Sequence, residues 1–205
     1  MAILEKIKEM KEKSKKRNFP QRYDVVVNIK DVDLKKPENK IDELLVLPKG
    51  TGKNVSITLF SDSMGKSEDL TIIKGPEIES LAKNKKSIKK LIKETDFFFS
   101  EPKLMPIVGK FLGKFLAPRG LMPKPVMGDI KKLLNDSKNS VRIHLDKQPI
   151  IHTVVGSDKM DDKDVEENIK TLLSFMVKKL PKGKSNIKNV YLKFTMGQPI
   201  KLEVE

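Results

Sequence analysis

Apolar residues first recur at helical spacing. Ile3, Ile7 and Met10 are separated by Lys and Glu, which predicts a short amphipathic helix. The helix runs into a basic cluster of Lys13, Lys15, Lys16 and Arg17. The pattern then changes to strict alternation. Tyr23, Val25, Val27 and Ile29 fall on one face of a strand, with Asp24, Val26 and Asn28 between them. Lys36-Pro37-Glu38-Asn39 reads as a turn, and Leu44 to Leu47 as a second strand stopped by Pro48 and Gly50. Val55, Ile57 and Leu59 alternate again.

The middle of the chain has a different rhythm. Strand-like runs at Leu70 to Ile73 and Phe97 to Phe99 are interleaved with helical ones. The helical runs are Glu77 to Lys83, Ser87 to Lys93, Lys103 to Phe115 and Gly128 to Leu134. Alternating β and α segments predict a small sheet flanked by helices. Alternation resumes at Val141, Ile143 and Leu145. The turn Asp146-Lys147-Gln148-Pro149 and the run Ile150 to Val155 follow, as a hairpin or a crossing between sheets. Asp161 and Asp162 open a helix whose apolar face is Val165, Ile169, Leu172, Leu173 and Met176. Two last strands, Ile187 to Thr195 and Ile200 to Val204, flank Met196-Gly197-Gln198-Pro199.

Both ends therefore supply strands and one helix each, around a separate α/β unit. The expected fold class is α/β, with an α+β domain built from both termini and a second domain inserted into it. The crossings are placed near Ile57 and Leu145, giving residues 1–57 plus 146–205 for the first domain and 58–145 for the second.

Composition adds a partner class. The 205 residues carry 42 Lys and Arg against 28 Asp and Glu, a formal net charge of +14. Such an excess is self-repelling unless a polyanion compensates, and nucleic acid is the commonest one, through counterion release. Cysteine is absent, which excludes disulfides and thiolate metal sites. No apolar run approaches the roughly 20 residues needed to span a bilayer. The N-terminal helix carries Glu5, Glu9 and Glu12 and does not read as a signal peptide. A cytoplasmic protein without membrane partners is the plain expectation.

Most catalytic motifs fail on spacing. A phosphate-binding loop needs Gly-x4-Gly-Lys-Ser/Thr between strand and helix. Gly109 to Lys114 is one residue short and continues into Phe115, and Gly50-Thr51-Gly52-Lys53 leads into a strand. Asp158, Asp161, Asp162 and Asp164 lack calcium-loop spacing. His144 and His152 lie in strand-like runs and read as packed or surface histidines. An enzyme, a metal and a cofactor are all unexpected.

Three stretches point to a binding surface. Lys15-Lys16-Arg17-Asn18-Phe19 joins cations, suited to phosphates, to an aromatic that can stack on a base or ribose. Thr195-Met196-Gly197 offers a hydroxyl, a flexible apolar contact and close backbone approach, with Lys193 just upstream. Pro118-Arg119-Gly120-Leu121-Met122-Pro123-Lys124-Pro125 reads as a rigid loop holding Arg119 and Lys124 outward. Taken singly, a solvated charge run, a hairpin turn and a domain-packing loop would account for each.

Together with other short stretches these residues resemble the L-one (stalk) family of large-subunit ribosomal proteins, in its archaeal-type form. The likeness runs through Arg17-Asn18-Phe19, Lys36-Pro37-Glu38-Asn39 and Leu47-Pro48-x-Gly50-x-Gly52-Lys53. It continues in Lys83-Asn84-Lys85, Asp96-Phe97-Phe98, Leu104-Met105-Pro106 and Pro118-Arg119-Gly120-x-Met122-Pro123-Lys124-Pro125. Val155-Gly156, Glu167-Asn168-Ile169 and Thr195-Met196-Gly197 complete it. Gln198, where the family usually has Pro, and Ala117, where many members have Gly, depart from the pattern. So do Pro20 and Arg22.

The resemblance implies an inserted domain that is Rossmann-like but binds no nucleotide. It implies that the terminal domain binds large-subunit ribosomal RNA through Lys16, Arg17, Asn18, Phe19, Lys193, Thr195, Met196 and Gly197, with Arg119, Gly120 and Lys124 on the inserted domain. It further implies a mobile stalk near exit-site tRNA, repression through the protein's own messenger RNA, and a monomer when free. Two rivals stand beside it. One is a nucleotide-dependent enzyme using the inserted unit, and the other a free RNA-binding regulator that never joins the ribosome.

Overall fold

The computed structural model describes residues 3–15, 17–53, 55–63, 70–126 and 136–203. The expected helix at Gly128 to Leu134 lies outside the described residues, as do Lys16 and Val204. The chain divides into two units. Unit one joins Met1–Lys53 to Asn139–Glu205, and unit two is Asn54–Lys138.

Unit one carries helix α1 (Ile3–Lys13) and strands β1 (Arg22–Ile29) and β2 (Ile41–Val46) from the first half. Unit two supplies β3 (Ile57–Phe60), β4 (Leu70–Ile73), α2 (Gly75–Lys83), α3 (Lys85–Glu94), β5 (Phe97–Ser100), α4 (Met105–Leu116) and β6 (Lys124–Pro125). The chain then returns to unit one with β7 (Ser140–Leu145), β8 (Ile150–Ser157), α5 (Asp162–Lys179), β9 (Ile187–Phe194) and β10 (Ile200–Leu202).

The larger sheet of unit one has the order β10-β9-β1-β8, with every neighbouring pair antiparallel. Alternation fixes its faces. Tyr23, Val25, Val27 and Ile29 are buried, while Arg22, Asp24, Val26 and Asn28 point the other way. The buried face meets Ile7 and Met10 of α1 and Val165, Ile169, Leu172 and Met176 of α5 in one core. A two-stranded sheet of β2 and β7 adds Ile41, Leu45, Val141, Ile143 and Leu145 to that core. Lys11 of α1 reaches Asp162 in the first turn of α5 at 2.6 Å, tying the two helices together.

Asn168 is wholly buried in α5 and uses its whole amide. Its Nδ2 donates to the carbonyls of Gly50 and Val155, each at 2.8 Å. Its Oδ1 accepts from the Lys49 N–H at 3.2 Å. One side chain thus joins the helix to β8 and to the turn after β2.

Unit two is a parallel sheet of order β4-β3-β5-β6. Its core gathers Phe60, Ile78, Ile88, Ile92, Phe98, Val108, Leu112 and Leu116. All four residues of β3 are buried, as expected for a strand covered on both faces. The apparent alternation at Val55, Ile57 and Leu59 is therefore incidental, because Thr58 is also inside, bonded to the Thr95 hydroxyl at 2.8 Å.

Two expectations need correction, and one left open is decided. The return crossing is placed after Leu145, yet β7 pairs with β2 and belongs to unit one. Alternation marks a strand but not the sheet it joins. Of the two readings of residues 140–157, the crossing between sheets holds, since β7 and β8 lie in different ones. The stretch 118–125 is not loop throughout either. Its end forms β6 on the edge beside β5, where its prolines are tolerated, so Lys124 is half-buried in a strand instead of standing outward.

Candidate nucleic-acid interface

The two terminal stretches singled out in the sequence meet at one end of β1. The chain leaves α1 at Ser14, passes through 15–19 and enters β1 at Arg22. Both ends of that passage meet the turn after β9. At one end the Thr195 N–H donates to the Arg22 carbonyl at 3.1 Å. At the other, a Cβ built on Gly197 would stand 3.4 Å from the Ser14 hydroxyl oxygen. Ser14 and Arg22, which flank the basic run, therefore both lie against the turn that carries Thr195 and Gly197.

The turn is closed by the Gly197 N–H donating to the Phe194 carbonyl at 2.9 Å. Phe194 is anchored below, its ring 4.7 Å from that of Tyr23. Because the closing bond ends at Gly197, Gln198 lies beyond it, and the departure from the family pattern leaves that bond untouched. Gly197 has a steric reason to be glycine. A Cβ there would sit 3.0 Å from the Phe194 Cβ. Gly197→Ala is expected to destabilise the fold by about 1–2 kcal/mol through this overpacking. Chemical denaturation checks it, and an unchanged midpoint would remove the steric argument.

Apolar groups stand out above this base. Phe19 is 49% exposed and Met196 63% exposed, two of only four large exposed hydrophobics among the described residues. Arg17 and Asn18 are exposed beside Phe19, and Lys193 is half-buried on the outward face of β9. Lys193 stands opposite Asp24 in the β1–β9 register. The Asp24 carboxyl is raised above its ordinary value by burial, opposed by the Thr195 hydroxyl and by Lys193 and Arg22. The Thr195 hydroxyl also faces the Arg22 carbonyl at 3.4 Å.

This arrangement decides what Thr195 can offer. A hydroxyl has one donor and two acceptor positions. Here the donor is directed inward, to the Asp24 carboxylate or the Arg22 carbonyl. Thr195 is exposed, so its oxygen can also accept from a partner. A ribose 2′-hydroxyl is a donor that fits it, and DNA lacks that group.

Ser14, Arg22 and Asp24 are residues of this surface that sequence reading did not select. The signal for Arg22 and Asp24 was present. They occupy the polar phase of an alternating strand, which was used only to find the core. Ser14 carried no signal, since its place depends on a contact with residue 197.

Unit two holds the third stretch. Arg119 is exposed at the end of a 3-10 turn, Ala117–Arg119, and Gly120 follows with φ of +65°, a left-handed conformation suited to glycine. Gly109 and Gly113 lie inside α4, so their N–H groups serve the helix and form no phosphate loop. Open parallel sheets bind ligands beyond the carboxyl ends of their strands, where the strand order reverses. In this sheet that point falls between β3 and β5. Glu101 accepts there from the Ser61 and Ser63 hydroxyls, which hold its carboxyl below the ordinary range. Asp62 accepts from the Gly75 N–H at 2.8 Å. Two carboxylates where a nucleotide phosphate would sit disfavour the nucleotide-enzyme rival. Among the described residues no group of His, Asp and Glu has metal-binding geometry, and no helix is long and apolar enough to cross a membrane.

Comparison with known proteins places the chain in a family. The Ribosomal protein L1p/L10e family matches residues 9–198. Large ribosomal subunit protein uL1 of Pyrococcus abyssi is 41% identical over 98% of this chain and 95% of its own length. The protein of the same name from Methanothermobacter thermautotrophicus is 42% identical over 98% of each chain. That of Methanocaldococcus jannaschii is 40% identical over 100% of this chain and 96% of its own.

Proposed function

The chain belongs to the ribosomal protein L1p/L10e family, in its archaeal-type form, and from that premise we propose that it is a cytoplasmic, non-enzymatic constituent of the large ribosomal subunit that holds large-subunit ribosomal RNA directly through unit one. The observation that carries the reading is the Thr195 N–H to Arg22 carbonyl bond, with Ser14 beside Gly197, at the two ends of the stretch that carries the basic run. It joins a basic-aromatic run to a hydroxyl-bearing turn 176 positions away.

Recognition in this reading is by shape. Phe19 and Met196 pack on ribose or base faces, and Thr195 accepts from a 2′-hydroxyl. Lys15, Lys16, Arg17 and Lys193 meet phosphates and make affinity fall with salt. The RNA-anchored protein forms the mobile stalk that assists release of exit-site tRNA. A like-folded element in its own messenger RNA takes the same surface, and occupancy there represses translation. The free protein is a monomer.

Thr195→Val removes the acceptor while keeping the side chain's shape. It is expected to weaken binding to a large-subunit ribosomal RNA fragment by about 1–3 kcal/mol, roughly 5- to 150-fold. Calorimetry measures this, and an unchanged dissociation constant would remove Thr195 from the interface. Co-sedimentation with large subunits separates the reading from a free regulator. Binding to the RNA fragment without appearance in the subunit fraction would favour the regulator.

A further inference from the structure

We propose that the solvent face of α4, with the turn that ends at Arg119, is a second contact surface for an RNA phosphate backbone, carried by unit two. The proposal rests on the reading that the chain binds ribosomal RNA, but it concerns a different surface.

Charge is the first ground. From residue 102 to 126 the chain has Lys103, Lys110, Lys114, Arg119 and Lys124 and no Asp or Glu. The fold puts most of these cations on one side. Val108, Leu112 and Leu116 are the buried face of α4, whereas Lys110 and Lys114 are exposed on the opposite face. Lys103 and Arg119 are exposed just beyond its two ends. Among the described residues none of Lys103, Lys110, Lys114 and Arg119 is paired with a carboxylate. α3 also carries exposed lysines, but its sequence includes Glu94, 4.0 Å from Lys90, whereas α4 has no acid.

The second ground is that the two lysines are held without being neutralised. The Lys110 ammonium lies 5.5 Å from the Phe111 ring centroid, and that of Lys114 lies 5.1 Å from the ring of Phe115. A ring quadrupole restrains a cation but leaves its charge available. Four residues apart on a helix, the two positions are separated by a rise of about 6 Å. That is close to the spacing of successive phosphates along an RNA strand.

Glycine supplies the third. Gly109 and Gly113 each precede one of these lysines in the interior of α4, where glycine weakens a helix relative to alanine. Packing does not demand them, since a Cβ at either would meet nothing within 4 Å. Their φ angles are not left-handed. Among the described residues nothing needs a bare backbone there, but a second backbone approaching from outside would. Phosphodiester chain fits both the bareness and the charge. A membrane fits less well, because Phe111 and Phe115 are packed against the core of unit two and no large apolar side chain of α4 stands free to insert.

The test uses the full chain and a large-subunit ribosomal RNA fragment. Gly109→Ala with Gly113→Ala should raise the melting temperature and still weaken binding several-fold, a combination that a structural role would not give. Lys110→Gln with Lys114→Gln should lower the slope of log affinity against log salt by about 2. Lys89→Gln with Lys93→Gln, the same charge change at the same spacing on α3, should alter it less. An unchanged affinity in the alanine variant, or an equal slope change in the α3 control, overturns the proposal. Chemical modification of lysines in the complex separates it from the unit-one reading. Protection of Lys193 with Lys110 and Lys114 still reactive sinks this proposal alone. The reverse pattern sinks the unit-one site and keeps this one. Protection of Lys110 and Lys114 on ribosomes but not on the RNA fragment would assign the face to a protein neighbour and overturn the RNA assignment.

Discussion

Asn168→Ala should lower the unfolding free energy by roughly 3–5 kcal/mol. The side chain is wholly buried and makes three hydrogen bonds. Alanine deletes its two donors and one acceptor but leaves their partners in place. Those partners are two carbonyls and one N–H, and each stranded backbone group costs about 1–3 kcal/mol when water cannot reach it. Cavity formation adds to the loss. Urea unfolding measures it as a lower midpoint at constant slope. Asn168→Asp separates hydrogen bonding from volume. It keeps the shape and the acceptor for Lys49 but has no N–H to give Gly50 and Val155, so it should be as damaging as alanine. If the aspartate variant kept the parent midpoint, volume rather than bonding would explain the residue.

Phe19→Ala combined with Met196→Ala should leave stability nearly unchanged and reduce affinity for the ribosomal RNA fragment by about 2–4 kcal/mol, roughly 30- to 1000-fold. The basis is their exposure, 49% and 63% in the free protein. Large apolar side chains left in water contribute little to the fold. They become valuable when a partner covers them. The two sit on the stretch that carries the basic run and on the turn beside its ends, so one RNA surface can cover both. Single substitutions should each lose less, and a double-mutant cycle should show coupling between them. The salt slope should stay the same, because neither side chain is charged. Parent-like affinity in the double variant would remove the apolar half of the interface. A reduced slope would mean that the basic loop had moved.

The sequence made some of this legible for clear reasons. β1 and α5 announce themselves because each is half-buried, and a half-buried element shows its period. β3 does not, since burial on both faces erases alternation. The fate of β7 depends on which strand it meets, and Arg142 or Ile143 carries no mark of pairing with β2. Lys124 was misjudged for a related reason. Pro123 and Pro125 advertise a loop, yet an edge strand accepts proline where no ladder N–H is needed. At the candidate interface, Phe19 and Thr195 to Gly197 stand out in the sequence as isolated stretches by residue type alone. Their convergence on the end of β1 was invisible, because it rests on the Ser14–Gly197 approach. Sequence shows neither that approach nor the inward donor of Thr195.

The position of β1 has a consequence for how the protein is made. β1 pairs with β8 on one side and β9 on the other, and both are synthesised after unit two. Residues 22–29 therefore emerge from the ribosome more than a hundred residues before either partner. At about 5–20 residues per second, the strand waits many seconds with both edges unpaired. Unit two has its own core and can fold during that wait. Arg22 and Ser14 meet their partners only when Thr195 and Gly197 arrive, so a chain cut short anywhere before them presents the basic run without its counterpart. Nascent or broken copies would then lack the joined surface on which the proposed RNA contact depends.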